Sequence, residues 1–259
     1  MPRHAALAVA VMLSACTPTT DTGGADEAGW VSLFDGETLD GWVPNFAGEP
    51  VGVNYRDVFQ ADNGVLRVDY TGWDSFDGKF GHIFSDRDYA AYDLRFEYRM
   101  FGEQVRGAPD WALRNNGVML HAQAPETMAL EQGFPRCLEL QLLNGGGVPE
   151  RSTGNICTPG TFVILDGELD RAHCISSPKP EISGEDWIAV RAEVNADGSV
   201  RYFVDGEETF AIDAVVVQTD DPMVPASGLD ELTPIRSGRI AFQAESHPTE
   251  FRNIQIREH

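Results

Sequence analysis

The run Cys137-Leu138-Glu139-Leu140-Gln141-Leu142-Leu143-Asn144 decides the fold. Read as an extended strand, it sends Leu138, Leu140 and Leu142 to one face and Cys137, Glu139 and Gln141 to the other. Upstream, Asn116-Gly117-Val118-Met119-Leu120-His121-Ala122-Gln123 repeats the pattern, with Val118 and Leu120 on one side and Met119, His121 and Gln123 on the other. Neighbouring strands would then bring His121, Gln123, Glu139 and Gln141 onto one polar surface. A plain solvent-facing strand alternates in the same way. What sets this surface apart is its chemistry: a carboxylate, an imidazole and two amides are groups that hold hydroxyls and move protons.

Strand-like runs continue on both sides of this pair, at residues 65–70, 80–85, 94–100, 188–194, 200–204, 239–243 and 251–256. Most alternate or are β-branched and aromatic, and turn signals bound them. Asp62-Asn63-Gly64, Asn195-Ala196-Asp197-Gly198 and Asp205-Gly206 are turns, because Gly and Asn accept positive φ. The second of these predicts a hairpin between 188–194 and 200–204. No stretch sustains a helical period, and residues 125–132 are expected to form at most a turn or two. The chain therefore reads as an all-β sandwich or jelly roll. From Gly145-Gly146-Gly147 to Trp187 it is rich in Pro and Gly and reads as a long loop, of the kind that often carries function on a β scaffold.

The N-terminus reads as an export signal. Arg3 precedes a short apolar stretch, 5–13, and then Leu13-Ser14-Ala15-Cys16, a layout too short to span a bilayer as a helix. Leu-Ser-Ala-Cys resembles the bacterial lipoprotein processing box, with Cys16 as the lipidated residue. Residues 1–15 are thus expected to be a signal peptide, and 16–28, polar and rich in Thr, Gly, Asp and Glu, a flexible tether. Residues 29–259 form one expected domain, long enough to bury its own core. Thr17 after the cysteine, in place of Asp, favours a periplasmic, outer-membrane-anchored location.

Three of the four cysteines remain after Cys16 is set aside, which in an exported chain implies one pair and one free thiol. Cys157 and Cys174 flank one segment and are expected to pair, stabilising by about 3 kcal/mol in the chain-entropy view. Cys137 is then a small packed residue or a lining group. The net charge of −22 leaves no basic stripe for nucleic acid. It also disfavours docking to anionic lipid, so membrane contact is expected only through the lipid anchor.

Four motifs occur in an order that carries a resemblance. Trp30-Val31-Ser32-Leu33-Phe34-Asp35-Gly36-Glu37-Thr38-Leu39-Asp40-Gly41-Trp42 opens the domain. Asn116-Gly117-Val118, Glu139-Leu140-Gln141-Leu142-Leu143 and Glu250-Phe251-Arg252-Asn253-Ile254 follow. Together they resemble the 3-keto-disaccharide hydrolase domain family, over roughly residues 29–259 apart from the long loop. The resemblance implies a concanavalin- or laminarinase-like jelly-roll β-sandwich acting on glycosides already oxidised to a ketone at C3. The ketone acidifies the C2 proton; its removal gives an enolate that expels the C1 substituent, and water adds to the enone. A glycoside 3-dehydrogenase would supply the oxidised substrate upstream.

Such chemistry needs a base, a donor for the oxyanion and an acid for the leaving oxygen. His121 or Glu139 could be the base, and His82, in Phe80-Gly81-His82-Ile83, a second acid or base. Asn116, Gln123 and Gln141 could orient hydroxyls or the ketone. Gln243 and Glu245 share one strand phase and could line the rim. One departure is Asn144, where the family often carries Asp.

Two other readings compete. A conventional retaining glycoside hydrolase needs two carboxylates about 5–5.5 Å apart. Laminarinase-like enzymes present them as Glu-x-Asp-x-x-Glu, whereas the corresponding positions here are Glu139, Gln141 and Asn144, so a partner would have to come from another strand. A non-catalytic carbohydrate-binding module would use Tyr70, Trp73 and Trp111 as platforms, but needs no imidazole–carboxylate pair. No Gly-x-Ser-x-Gly elbow, His-x-x-x-His or Cys-x-x-Cys occurs. No cofactor is expected; a structural calcium on backbone and Asp oxygens would suit a jelly roll, although the Asp-x-Asp-x-Asp-Gly spacing is absent.

Overall fold

A computed structural model describes Met1 and residues 28–146, 151–225 and 228–259. The expected signal peptide, the lipidation site Cys16 and nearly all of the tether lie outside the described residues.

Short strands open the domain: β1 (Val31–Ser32), β2 (Trp42–Phe46), β3 (Phe59–Asp62), β4 (Val65–Val68), β5 (Gly81–Ser85) and β6 (Tyr92–Met100). The middle of the chain supplies β7 (Asn115–Ala122), β8 (Leu138–Leu143), β9 (Asn155–Cys157), β10 (Thr161–Leu165), β11 (Glu168–Asp170) and β12 (Cys174–Ile175). The last third gives β13 (Ile188–Val194), β14 (Val200–Val204), β15 (Glu207–Ile212), β16 (Ala214–Val217), β17 (Arg239–Ala244) and β18 (Thr249–Glu258). Among the described residues the only helical turns are three short 3₁₀ segments, one of them Pro125–Thr127, where the sequence allowed a turn.

Two antiparallel sheets face each other. The first runs β15-β14-β13-β6-β18-β4-β3, with β1 on the end of β18. The second runs β12-β9-β8-β7-β17-β5-β2, and a small sheet, β11-β10-β16, packs on the same core. This is the expected all-β jelly-roll sandwich. The tight turns sit where predicted: Asn63-Gly64 and Asp205-Gly206 both take positive φ, and Gly198 N–H donates to the Asn195 carbonyl at 2.9 Å.

Alternation along β8 fixes which face is buried. Leu138, Leu140 and Leu142 lie in the inter-sheet core with Val118 and Leu120 of β7, Phe242 of β17, and Phe96 and Phe251 of the first sheet. Phe242 and Phe251 meet across the interface with ring centroids 4.6 Å apart. A shift of one residue would turn every leucine outward, so the register is strongly specified.

The stretch 144–187 departs from its reading as a loop. It contains β9–β12, and β9 extends the second sheet beside β8 through the pairs Glu139–Cys157, Leu140–Ile156 and Gln141–Asn155. The expected disulfide joins Cys157 to Cys174, which face each other directly across β9 and β12. Cys137 is the free thiol, fully buried among Phe84, Met119, Ala122 and Ala241. Burial pushes its thiol up well above the usual range, which leaves it the packed residue rather than a nucleophile.

Candidate functional site

The outer face of the second sheet carries the polar half of each alternating strand. Along one row Asn45, His82 and Gln243 stand side by side on β2, β5 and β17, and Gly117, Gln141 and Asn155 continue on β7, β8 and β9. The next row holds Phe84, Ala241, Met119, Glu139 and Cys157. Gly117 is the key to this surface. A Cβ built on it would lie 2.2 Å from Glu139 Oε1, so the glutamate leans across β7 into the space where any other residue would have a side chain.

Above these rows is a cavity of about 500 Å³, lined by Glu139, Gln141 and Leu143 of β8, Asn115 of β7, and Glu245 just past β17. Trp111, Phe134, Arg151, Pro159, His173, Met223 and the disulfide complete its walls. Trp111 is half exposed and stacks flat on Phe80, with 6° between the rings, which leaves an indole face at the mouth. The other aromatic candidates are committed elsewhere. Tyr70 is buried and its hydroxyl accepts from Ser246 N–H at 2.8 Å, while Trp73 packs edge-on against Tyr55 and Tyr70.

Glu139 and Glu245 are 5% and 2% exposed. Burial pushes the Glu139 carboxyl up to about 8. Glu245 is also pushed well above the carboxylate range, first by burial and then by the charge of Glu139, against a smaller pull from Arg151. Two like charges in one dry site do not ionise together, so the pair holds at least one proton at neutral pH. Arg151 is held by the carbonyls of Leu113 and Trp111, the latter at 3.0 Å. Burial lowers its pKa, and Glu181 and Glu245 act in the opposite sense.

Several buried polar atoms here have no protein partner among the described residues: Glu245 Oε2, Gln243 Oε1, Asn115 Oδ1 and His82 Nε2. Buried polar atoms are ordinarily satisfied, and such a concentration marks a surface shaped for a polar ligand. Gln243 Nε2 donates to Glu245 Oε1 at 3.3 Å, tying the two together. His82 borders the group through Phe134, at 6.0 Å between ring centroids, and burial pulls its imidazole down to about 3.

Thus Glu139, Gln141 and Glu245 line one cavity, with Gln243 and His82 alongside. His121, Asn116 and Gln123 do not line it. β7 carries one extra residue between Met119 and Ala122, which pair with Ala241 and Arg239 respectively, and His121 sits in this bulge at φ 52°. Ala122 therefore takes the outer-face place beside Met119 that strict alternation gives to His121. His121 is buried, and burial lowers its imidazole to about 4. Asn116 follows the phase of Val118 into the core, where its Nδ2 donates to the Gln243 carbonyl at 2.9 Å. Gln123 donates to the Thr127 carbonyl at 2.9 Å and accepts from Gln132 at 2.9 Å, lining a different cavity. Asn144, too, turns away from Glu139, and its Oδ1 accepts from the buried Tyr98 hydroxyl at 3.0 Å.

The sequence reading missed Asn115, Arg151, Phe134, His173 and Met223. Asn115 had a signal, since it shares the phase of Gly117. Arg151 had none, because it follows a glycine-rich run with no period. Among the described residues no group of three or more His, Cys, Asp or Glu could hold a metal ion. No helix among them is long and apolar enough to cross a membrane.

Fold and cavity together define a jelly-roll sandwich with an acidic, aromatic-rimmed cleft on one sheet. The chain belongs to the 3-keto-alpha-glucoside-1,2-lyase-like domain family, which it matches over residues 29–257. No curated protein matches it. Among solved structures it is similar to two candidate glycosyl hydrolases from Parabacteroides distasonis ATCC 8503. One is 16% identical with a TM-score of 0.51, over 93% of this chain and 98% of the other. The second is 17% identical with a TM-score of 0.50, over 89% and 99%. At such identity the likeness is one of fold.

Proposed function

We propose that the protein cleaves 3-keto-glycosides by elimination at C1 and C2 followed by hydration, and that Glu139 and Glu245 are its proton-transfer pair. The observation that carries this reading is a carboxyl raised to about 8 beside a second raised carboxyl, in a cavity with an indole at its mouth. A carboxylate of that basicity is far better matched to a carbon acid than an ordinary one. Family membership supports the substrate class.

Glu139, when ionised, takes the C2 proton, and the electron pair moves into an enolate whose oxygen is the former C3 ketone. Arg151, the cation of the cavity, faces the developing oxyanion. Collapse of the enolate breaks the C1–O bond, and neutral Glu245 gives its proton to the departing oxygen. In the second half Glu245 removes a proton from water, hydroxide equivalent adds at C1, and Glu139 returns its proton to C2. Gln141 and Gln243 orient ring hydroxyls, with Trp111 under the apolar face of a sugar.

A conventional hydrolase also gains support, because the second carboxylate missing from β8 comes from the end of β17. The experiment that separates the two compares a 3-keto-glucoside with its unoxidised parent. Cleavage of the keto compound alone is expected; equal turnover of both would rule out elimination and leave direct displacement.

The N-terminal sequence supports export and lipidation at Cys16, with the domain tethered in the periplasm or at the outer membrane. A glycoside 3-dehydrogenase is the class of enzyme that must supply the substrate.

A further inference from the structure

A second cavity, of about 540 Å³, opens on the same sheet beside the first. The two have no lining residue in common, but neighbouring positions of two segments divide between them. Phe134 and Met223 line the Glu139 cavity, whereas Arg136 and Pro225 line the other.

The second cavity is lined by apolar and polar side chains in similar measure, and most of the polar ones are engaged within the protein. Ala122, Ala124, Met128 and Leu229 make its sides. Its amides are used up within the protein, because Gln132 Nε2 donates to Gln123 Oε1 and to the Phe134 carbonyl. Asp88 is engaged by Arg239, at 3.1 Å. Asp221 is spent on the backbone N–H groups of Gly160, Met223 and Val224.

Arg136 is left over. Its Nε is buried with no hydrogen-bond partner, and among the described residues no carboxylate lies within ion-pair distance of its guanidinium. Its aliphatic stem is fixed where Gly160 leaves room, since a Cβ there would lie 3.0 Å from Arg136 Cγ. Burial lowers its pKa, against a smaller opposing contribution from Cys137. In a chain of net charge −22 an uncompensated guanidinium in a cavity is conspicuous, because carboxylates are abundant elsewhere.

We propose that this cavity is a second subsite and that Arg136 receives a carboxylate carried by the aglycone of the substrate. The proposal rests on the reading of the Glu139 cavity as the keto-sugar site. One guanidinium matches one planar carboxylate through a bidentate pair, and the alanine and methionine walls suit the carbon skeleton beside it.

The test is calorimetric binding of two 3-keto-glucosides that differ at one group, a 4-carboxyphenyl aglycone and its uncharged carboxamide. The wild-type protein is expected to prefer the acid by about tenfold or more, the ratio that one charge-assisted hydrogen bond supplies. Arg136→Ala should weaken the acid to the level of the amide, and Arg136→Lys should restore part of the preference. Circular dichroism establishes that each variant is folded. No preference in the wild type, or one that survives Arg136→Ala, would overturn the subsite. Binding needs no turnover, so an Arg136-dependent preference without cleavage of either compound upholds the subsite and defeats the reaction reading instead.

Discussion

The two sheets each bury a glutamate on their outer face, and they treat it in opposite ways. On the first sheet Glu250 accepts from Arg67 Nε at 2.8 Å on one oxygen and from Arg99 Nε at 2.6 Å on the other. Around it the face is a lattice of ion pairs and cation–π stacks, with Arg252 and Arg99 over Trp187, and Arg191 and Arg201 over Phe203. On the second sheet Glu139 and Glu245 have each other, two amides and one distant-held arginine. The first arrangement fixes a charge; the second withholds the partners that would fix it. Compensated carboxylates hold a structure together, whereas uncompensated ones keep a proton available near neutrality.

The largest effect expected from breaking this contrast is on turnover. Glu139→Gln should lower kcat on a 3-keto-glucoside by about 10²–10⁴, the usual share of a positioned base, with folding retained. A variant with near-full activity would displace Glu139 from the reaction. The same residue sets a pH signature. A carboxyl raised from 4.5 to about 8 binds its proton more tightly when folded, so its stabilising contribution is complete below 4.5 and lost as pH rises through 8. Thermal melts of Glu139→Gln should therefore decline less than wild type between pH 4.5 and 8. Equal declines would mean that the carboxyl is not raised.

A smaller effect comes from disturbing the seat of Glu139 while keeping its carboxyl. Gly117→Ala puts a methyl 2.2 Å from Oε1 and must move it. A misplacement of that order should reduce kcat by about 10²-fold with KM less affected. Unchanged kinetics would show that the glutamate does not need this slot. The smallest effect on turnover belongs to the other sheet. Glu250→Ala takes the shared carboxylate from Arg99 and leaves Arg67 with only Asp62, at 3.4 Å, and should cost about 1–3 kcal/mol in urea unfolding while kcat per folded molecule stays the same.

The sheet structure was legible wherever the period of two was clean. Residues 188–194 and 200–204 are strands to the residue, and the leucines of β8 declare their face by alternation alone. Glu139 and Gln141 followed from the same alternation. His121 did not, because one extra residue in β7 resets the phase, and nothing in Leu-His-Ala announces a bulge. Asn116 is a different failure, since its own period already placed it with Val118. β9, β11 and β12 are two or three residues long and stand between Pro and Gly, too short for any period to be read. Arg151 and Glu245 meet only through tertiary packing, from segments about a hundred residues apart, which no local pattern encodes.

The site-bearing sheet also ends in two dissimilar ways. One border is β2, which carries Pro44 and so lacks an N–H at its centre. The opposite border is β12, two residues long and locked to β9 by the disulfide. A border without a donor and a border too short to template leave little for a foreign strand to add to. The sheet whose outer face carries the Glu139 cavity is thereby guarded at its margins against strand-to-strand self-association.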